Sequence, residues 1–339
     1  METQIKTSGF KYVRQQSIKV IATMPCPLKV PFRELFNAFI ENYNTNNPYH
    51  TIFCPDQNDC TNPEFDKLLL HAAYEDELPD IYLTSNYNIL FDKSFYAKFV
   101  KTGILSGYID ESKQAYIPEP ILNAFRQHNI GCLAFSSWGV AQDYSVSEIR
   151  KKPGSWAEIL EPDFLNQITV HGCHGKAGST GLLLFLQQQC GDDAIARFAR
   201  NVIDMRHFAL IIKRMDSMDD MRTALNVLPD VAASHIPSWK SVERLRFAEG
   251  CPLNPMILMV KKNKLDTCRP ILDFFHGSSF KRMLQSNGYL MPAELSWSNN
   301  YILPDFARFA ANGFALISSE IEKIYQSNLR HEEIDKRLK

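Results

Sequence analysis

The chain has 339 residues, which is enough for two domains of roughly 100–200 residues each. Its 45% hydrophobic content can fill large cores, so a disordered or fibrous protein is excluded. The formal net charge of -1 excludes the strongly basic surface that is typical of nucleic-acid-binding proteins.

The eight cysteines are dispersed along the chain, and none forms a C-x-x-C pair. They are Cys26, Cys54, Cys60, Cys132, Cys173, Cys190, Cys251 and Cys268. A chain of this length does not need disulfides to stabilise its core, and buried free thiols behave as small hydrophobic groups. We therefore expect reduced cysteines, as in cytosolic proteins.

The first twenty residues contain no apolar run of the length found in signal peptides. No stretch reaches the roughly 18 apolar residues of a membrane helix. The sequence as given predicts a cytoplasmic protein. The alternative is a periplasmic or extracellular protein whose signal has been removed, and Cys54 and Cys60 are then close enough in sequence to form a disulfide.

The first third of the chain alternates strands with amphipathic helices. The pattern predicts strands at 17–23, 49–54 and 80–83, and helices starting near Pro31 and lying within 58–74. Such a βαβαβ order is typical of a parallel sheet with helices on its faces. Weaker helices are predicted at 91–101 and 117–128, and an apolar strand at 129–136 that ends at Ser136, Ser137 and Trp138.

The rest of the chain continues the α/β pattern. Further strands are predicted at 167–171, 208–212, 229–236 and 255–260. Helices are predicted at 182–189, after Asp192 or Asp193, from Ser217, at 270–285, and once or twice within 304–329. The fold class is therefore α/β.

The residues between strand 167–171 and helix 182–189 are small: Gly178, Ser179 and Thr180 lie at the start of the helix. In α/β proteins such loops bind small ligands, because free N–H groups and the positive end of the helix dipole point outwards. The alternative is that Ser179 or Thr180 only caps the helix, which most helices need.

Several predicted strand ends carry hydroxyl and amide groups and few charges. These candidate ligand-binding residues are Thr23, Cys26, Ser85, Asn86, Ser136, Ser137, Trp138, Gly178, Ser179, Thr180, Ser234, His235 and Trp239. Together they predict a small polar or anionic ligand held by neutral donors. The alternative is that these are ordinary turns, which favour the same residue types.

The sequence contains no recognisable catalytic motif. His171, Cys173 and His174 are close together, but a zinc site needs three or four converging ligands, and on a strand His174 points away from the other two. Lys176 is followed by Ala177, so the phosphate-loop spacing fails. We predict no catalytic residues, no metal and no cofactor.

Four segments carry a resemblance to a known family: Leu78–Tyr82, Ser155–Phe164, Asp230–Ala233 and Leu272–Pro292. In their order and spacing, over most of the chain, they resemble the type 2 periplasmic-binding-protein-like solute receptors. These receptors are the substrate-binding components of ABC transporters, and the iron and small-anion branch is the most similar. The adjacent tyrosine pair of the iron receptors is absent, since 234–239 reads SHIPSW.

The resemblance implies a two-lobed fold, with a mixed sheet flanked by helices in each lobe and a ligand cleft between the lobes. Lobe one comprises 1–135 and 251–310, lobe two comprises 136–250, and 311–339 forms C-terminal helices. The chain would cross between the lobes near 132–136 and 235–254.

The resemblance also implies a function. It predicts a solute-binding protein that closes on a small molecule, for ABC-type transport or for intracellular sensing. Its partners are the small-molecule ligand and the membrane subunits of an ABC transporter, with no nucleic acid, and we expect a monomer. The main alternative is an enzyme on the same fold that uses a histidine or cysteine in the cleft, because a fold does not determine a function. A third is the ligand-sensing half of a regulator, but the sequence has no basic helix-turn-helix segment.

Overall fold

A computed structural model describes residues 16–48, 50–55, 63–146, 151–173, 176–177, 180–295 and 301–329 of the chain. The strands in these ranges are β1 Gln16–Ala22, β2 His50–Phe53, β3 Ile81–Thr84, β4 Leu105–Gly107, β5 Cys132–Asp143, β6 Ile168–Cys173, β7 Lys176–Ala177, β8 Val202–Arg206, β9 Leu225–Pro229, β10 Val242–Leu245, β11 Cys251–Lys261 and β12 Tyr301–Ile302. They form a mixed sheet in the order β2-β1-β3-β11-β5-β9-β6-β7.

Helices flank this sheet, which confirms the predicted α/β class. They are α1 Lys29–Asn46, α2 Pro63–Leu70, α3 Tyr87–Leu90, α4 Lys93–Phe95, α5 Glu111–Gln114, α6 Glu119–Gln127, α7 Thr180–Cys190, α8 Ala194–Asn201, α9 Phe208–Arg214, α10 Asp230–Ala233, α11 Leu265–His276, α12 Ser278–Ser286, α13 Phe306–Asn312 and α14 Phe314–Asn328. A π-helical turn, Tyr96–Val100, continues α4.

The predicted βαβαβ opening is present: β1 is parallel to both β2 and β3. One core lies between helices α1, α11 and α12 and this part of the sheet. Its centre is a cluster of aromatic rings, Phe32, Phe36, Phe275 and Phe280, all of which are buried. Each such side chain removes a large apolar area from water, so this layer contributes strongly to stability.

Two long strands connect the halves of the sheet. β5 pairs with β11 through its first residues, up to Ser137, and with β9 from Trp138 onwards. β11 in turn pairs with β3. This change of partner, between Ser137 and Trp138, lies directly after the range 132–136 where the sequence predicts a crossing between lobes. The division into 1–135 with 251–310, 136–250 and 311–339 stays a prediction.

Three predicted elements are wrong, and the single helix predicted at 270–285 is divided at Gly277 into α11 and α12. Residues 208–212 form helix α9 rather than a strand, because Phe208, Ile211, Ile212 and Met215 follow helical spacing, and the strand is β8, just before. Ser217 does not begin a helix: its hydroxyl donates to the Arg214 carbonyl in a turn. The predicted strand 229–236 is displaced, since β9 ends at Pro229 and Asp230 begins α10.

Candidate functional site

A cavity of about 880 Å³ is lined by the middle of β5, the start of β11 and the C-terminal helices. Its walls are formed by the loop after β1, the start of α3, the middle of β5, the end of β6, helix α7, the start of α9 and the C-terminal segment that includes α13. Pockets for organic ligands are typically about 300–1,000 Å³. The volume is therefore that of a site for a small organic molecule.

The cavity brings together seven of the predicted ligand-binding residues. They are Thr23, Cys26, Ser85, Asn86, Ser136, Trp138 and Thr180. Gly178 and Ser179 lie outside the described residues. The assignment of these residues to ligand binding stays a prediction, but their convergence from four separate segments is a property of the fold.

Four predicted residues, Ser137, Ser234, His235 and Trp239, do not line this cavity. Ser137 lies between Ser136 and Trp138 on strand β5, where successive side chains point to opposite faces. Its hydroxyl instead donates to Asp230 at 2.6 Å.

Ser234, His235 and Trp239 follow the short helix α10 rather than a strand. Val231 and Ala232 of that helix line the cavity in their place. Ser234 donates to the Val231 carbonyl at 2.9 Å, and Nδ1 of His235 lies 2.9 Å from the same oxygen. Trp239 is 74% exposed and lies beneath the Lys240 ammonium. These residues do not line the cavity because helix α10 stands where the sequence predicts a strand.

One wall consists of hydroxyl and amide groups that organise each other. The hydroxyls of Thr23 and Thr84 are hydrogen bonded at 2.8 Å, and Thr84 also accepts from the Asn86 backbone N–H. Asn86 Oδ1 caps helix α3 by accepting from the Asn88 N–H at 3.0 Å. These hydrogen bonds link the loop after β1 to the turn between β3 and α3.

The opposite wall is aromatic. The rings of Trp138 and His171 stack with centroids 5.9 Å apart, and Phe208 packs edge-on to His171 at 5.5 Å. His207 lies beside both, with its centroid 5.7 Å from that of His171 and 4.2 Å from that of Phe208. Burial lowers the pKa of His171 to about 4, an effect that outweighs the opposing influence of the Arg206 carbonyl. His171 is therefore neutral at physiological pH.

The C-terminal segment forms a third wall that the sequence analysis did not predict. Leu303, Pro304, Asp305, Arg308, Phe309 and Ser318 all line the cavity. Asp305 caps helix α13 by accepting from the Arg308 N–H at 2.9 Å, and the Arg308 guanidinium reaches Gln187 of α7 at 3.4 Å. No local motif marks these residues as cavity-lining, and Arg308 and Ser318 reach partners on α7 that are more than 100 positions away in the sequence.

Formal charge is sparse around the cavity. Among the described lining residues, the acidic and basic side chains other than histidine are Asp192, Asp305 and Arg308. Tyr87 donates to Asn254 Oδ1 at 2.7 Å, and burial raises the pKa of its phenol. The cavity lining is thus mainly apolar and neutral polar, as expected for a site that recognises shape and hydrogen bonds.

The part of the chain that the structure describes contains no group of three or more histidine, cysteine or acidic side chains placed to hold a metal ion. His171 stacks on Trp138, whereas His174 and the side chain of Cys173 lie outside the described set. The absence of a metal site at 171–174 therefore stays a prediction.

A family profile described as "Bacterial extracellular solute-binding protein" matches residues 76–320, which is well over half of the chain. The chain belongs to the bacterial extracellular solute-binding proteins. This confirms the predicted kinship with type 2 periplasmic-binding-protein-like receptors and the predicted solute-binding function. It favours solute binding over the enzyme alternative.

Solved structures of solute-binding proteins share the fold. A putative extracellular solute-binding protein from Bordetella parapertussis has a TM-score of 0.63 at 14% identity, covering 92% of this chain and 98% of its own. A spermidine/putrescine ABC transporter substrate-binding protein from Streptococcus pneumoniae has a TM-score of 0.56 at 14% identity, covering 92% and 99%. A Bordetella ferric binding protein has a TM-score of 0.54 at 11% identity, covering 95% and 98%.

These likenesses confirm the predicted two-lobed fold. At such low identity they do not carry a ligand over to this solute-binding protein. No curated protein matches the sequence significantly. None of the helices described here is long and apolar enough to cross a membrane.

Proposed function

We propose that this protein captures a small organic solute in the 880 Å³ cavity and delivers it to the membrane subunits of an ABC-type importer. The observation that carries the proposal is the convergence on one cavity of residues from the β1 loop, β5, α7 and the C-terminal segment. A ligand held by residues from both halves of the sheet stabilises the closed arrangement of the lobes, which is how two-lobed receptors signal occupancy.

The lining favours a polar organic molecule over a bare ion. Aromatic side chains from β5, β6 and α9 offer flat apolar surfaces, while Thr23, Ser85 and Asn86 offer hydrogen-bonding groups on the facing wall. A cavity of this size exceeds the needs of a single ion. Ferric binding is also disfavoured, because the sequence lacks the adjacent tyrosine pair of the iron receptors.

The lobe division follows the same proposal. Lobe one comprises 1–135 and 251–310, lobe two comprises 136–250, and 311–339 adds C-terminal helices. The partner exchange of β5 between Ser137 and Trp138 supports a hinge there. We also propose that the protein acts as a monomer outside the cytoplasmic membrane, in line with the description of its family. Fractionation of cells expressing the full-length protein tests this location.

Native mass spectrometry of the purified protein is the first test, because solutes bound at nanomolar affinity survive purification. The bound mass identifies the solute, and calorimetric titration then measures its affinity. Trp138→Ala, inside the cavity, should weaken binding by at least tenfold, which is about 1.4 kcal/mol. Trp239→Ala removes an equal side chain outside the cavity and should leave affinity unchanged. Equal effects of the two variants would contradict the proposed site.

A further inference from the structure

His171 occupies a defined position in the aromatic wall. It lies on β6, opposite Arg206 of the parallel strand β8. The ring is held between the indole of Trp138, the edge of Phe208 and the neighbouring His207. This packing fixes the plane of the imidazole, so its hydrogen-bonding edge points in one direction.

The hydrogen bond of His171 determines which nitrogen carries the proton. Nδ1 lies 3.3 Å from the backbone carbonyl oxygen of Arg206. A carbonyl oxygen can only accept, so Nδ1 donates its proton to it. In a neutral imidazole the other nitrogen, Nε2, then carries a lone pair and acts as an acceptor.

The surroundings of His171 keep the ring neutral. Burial lowers its pKa to about 4. The guanidinium of Arg206, on the adjacent strand, is paired with Asp204 at 2.9 Å. The His171 ring contacts two uncharged side chains, Trp138 from β5 and Phe208 from α9. The titratable side chain in contact with the ring is His207. Asp192, Asp305 and Arg308 line other walls of the cavity.

We propose that His171 is a specificity-determining residue whose Nε2 accepts a hydrogen bond from an N–H group of the solute. The site therefore selects a flat, nitrogen-bearing solute, such as an amide or an N–H heterocycle, that packs against the aromatic wall. At Nε2 of His171 itself, an anionic oxygen would meet a lone pair instead of a donor, and would lose its hydration there without compensation. The inference rests on the proposed ligand cavity, and it narrows the polar or anionic solute predicted from the sequence.

A matched pair of probes tests the inference. Benzamide and benzoate have nearly the same shape, but benzamide carries N–H donors and benzoate carries a negative charge. Binding of each is measured by ligand-observed NMR with the full-length protein near pH 7.5. We expect benzamide to bind at least tenfold more tightly, a difference of about 1.4 kcal/mol.

Two variants test whether the preference for benzamide depends on a hydrogen-bond acceptor at position 171. In His171→Gln the side-chain carbonyl can still accept, so the preference for benzamide is retained. In His171→Leu no acceptor is left, so the preference is lost. Benzoate binding as tightly as benzamide, absence of binding by both probes, or an unchanged preference in His171→Leu would each overturn the inference.

Nitrogen-15 NMR of histidine-labelled protein checks the tautomer without any ligand. Nε2 of His171 should give the signal of an unprotonated nitrogen between about pH 5 and 8. A doubly protonated imidazole at pH 6 would overturn the inference. A different result would contradict the proposed function: the affinity for a bound native solute would not depend on Trp138.

Discussion

The hydroxyl groups of Thr180 and Ser318 lie 2.7 Å apart and join the first turn of α7 to helix α14. The two residues are 138 positions apart in the sequence, and both line the cavity. The sequence alone predicts that the Thr180 hydroxyl binds a ligand or caps the helix. In the folded protein it is bonded to a second helix.

Thr180→Val and Ser318→Ala should each lower the free energy of unfolding by about 0.5–1.5 kcal/mol, because each removes one partner of this hydrogen bond. The double variant should lose less than the sum of the two, with an interaction energy of at least about 0.5 kcal/mol. Denaturant unfolding of the four proteins measures both quantities. Strictly additive losses would show that the bond contributes nothing to stability.

The opening βαβαβ unit and the C-terminal helices could be predicted because their signals are local. Apolar runs such as 17–23 and the helical spacing of Phe32, Leu35, Phe36 and Phe39 need no knowledge of the fold. The strand predicted at 208–212 failed because a short apolar run fits a strand and a helix equally well. The apolar composition of 208–212 favours a strand. In the folded protein these residues follow strand β8 and form helix α9.

The candidate site was only half predictable for a related reason. Residues at true strand ends, such as Ser85 and Asn86, follow from the order of elements. The wall formed by Asp305, Arg308 and Phe309 does not, because it depends on how the last helices pack against α7 and α3. The contact between Arg308 and Gln187, which are 121 residues apart, leaves no trace in the local pattern.

His171 should make stability depend on pH between about 6.5 and 4. The unfolded chain binds a proton near pH 6.5, whereas burial lowers the folded pKa to about 4, so the unfolded state binds more protons in between. The stability is complete above pH 6.5 and is lost as pH falls towards 4. The loss is at most about 3.5 kcal/mol, at about 1.4 kcal/mol per pH unit over about 2.5 pH units.

His171→Gln should therefore unfold with a flatter pH profile than the wild type over this window. Thermal melts at intervals from about pH 7 to pH 4 compare the two proteins. The His128 pKa is also lowered by burial, so His128→Gln is the control that measures the second contribution. Parallel profiles for wild type and His171→Gln would contradict the assignment.

Asp230 forms hydrogen bonds in the region where β5 changes its pairing partner from β11 to β9. It accepts from Ser137 at 2.6 Å and from Arg244 at 2.9 Å, and Gly139 leaves room for its carboxylate. Ser137 is buried, whereas the Arg244 side chain is 38% exposed. Ser137→Ala should lower the free energy of unfolding by about 1–3 kcal/mol, since its bond to a carboxylate is shielded from water.

Arg244→Gln should lower the free energy of unfolding by less than about 1 kcal/mol, because exposed ion pairs contribute little to stability. Urea unfolding at low and high salt separates the two cases, since salt screens the Arg244 pair and leaves the Ser137 bond nearly unaffected. A larger loss in Arg244→Gln than in Ser137→Ala would contradict this ranking.

Four of the described cysteines, Cys132, Cys190, Cys251 and Cys268, have free thiols. Burial raises the pKa of Cys251 and of Cys268 to about 12, and it raises the pKa of Cys132 and Cys190 as well. The thiolate is the reactive form, so these thiols should react slowly with an alkylating reagent at pH 8. Mass spectrometry of native and urea-unfolded protein counts the modified sites. Rapid native modification of Cys132 or Cys268 would contradict their burial.

The indole of Trp156 ties the segment before β6 to the start of β11. Its Nε1–H donates to the Gly250 carbonyl at 2.8 Å, and its ring packs edge-on against Phe185 and Phe247. Trp156 is 1% exposed, so no water can replace a lost donor. Trp156→Phe keeps an aromatic ring but leaves the carbonyl unpaired, and should lower the free energy of unfolding by about 1–3 kcal/mol.

Trp239→Phe is the matched control for this substitution. Trp239 is 74% exposed, so the same change should alter the free energy of unfolding by less than about 0.5 kcal/mol. Urea unfolding followed by circular dichroism measures both variants without relying on tryptophan fluorescence. Comparable losses in the two proteins would show that the Trp156 hydrogen bond does not stabilise the junction, because ring size alone would then account for the change.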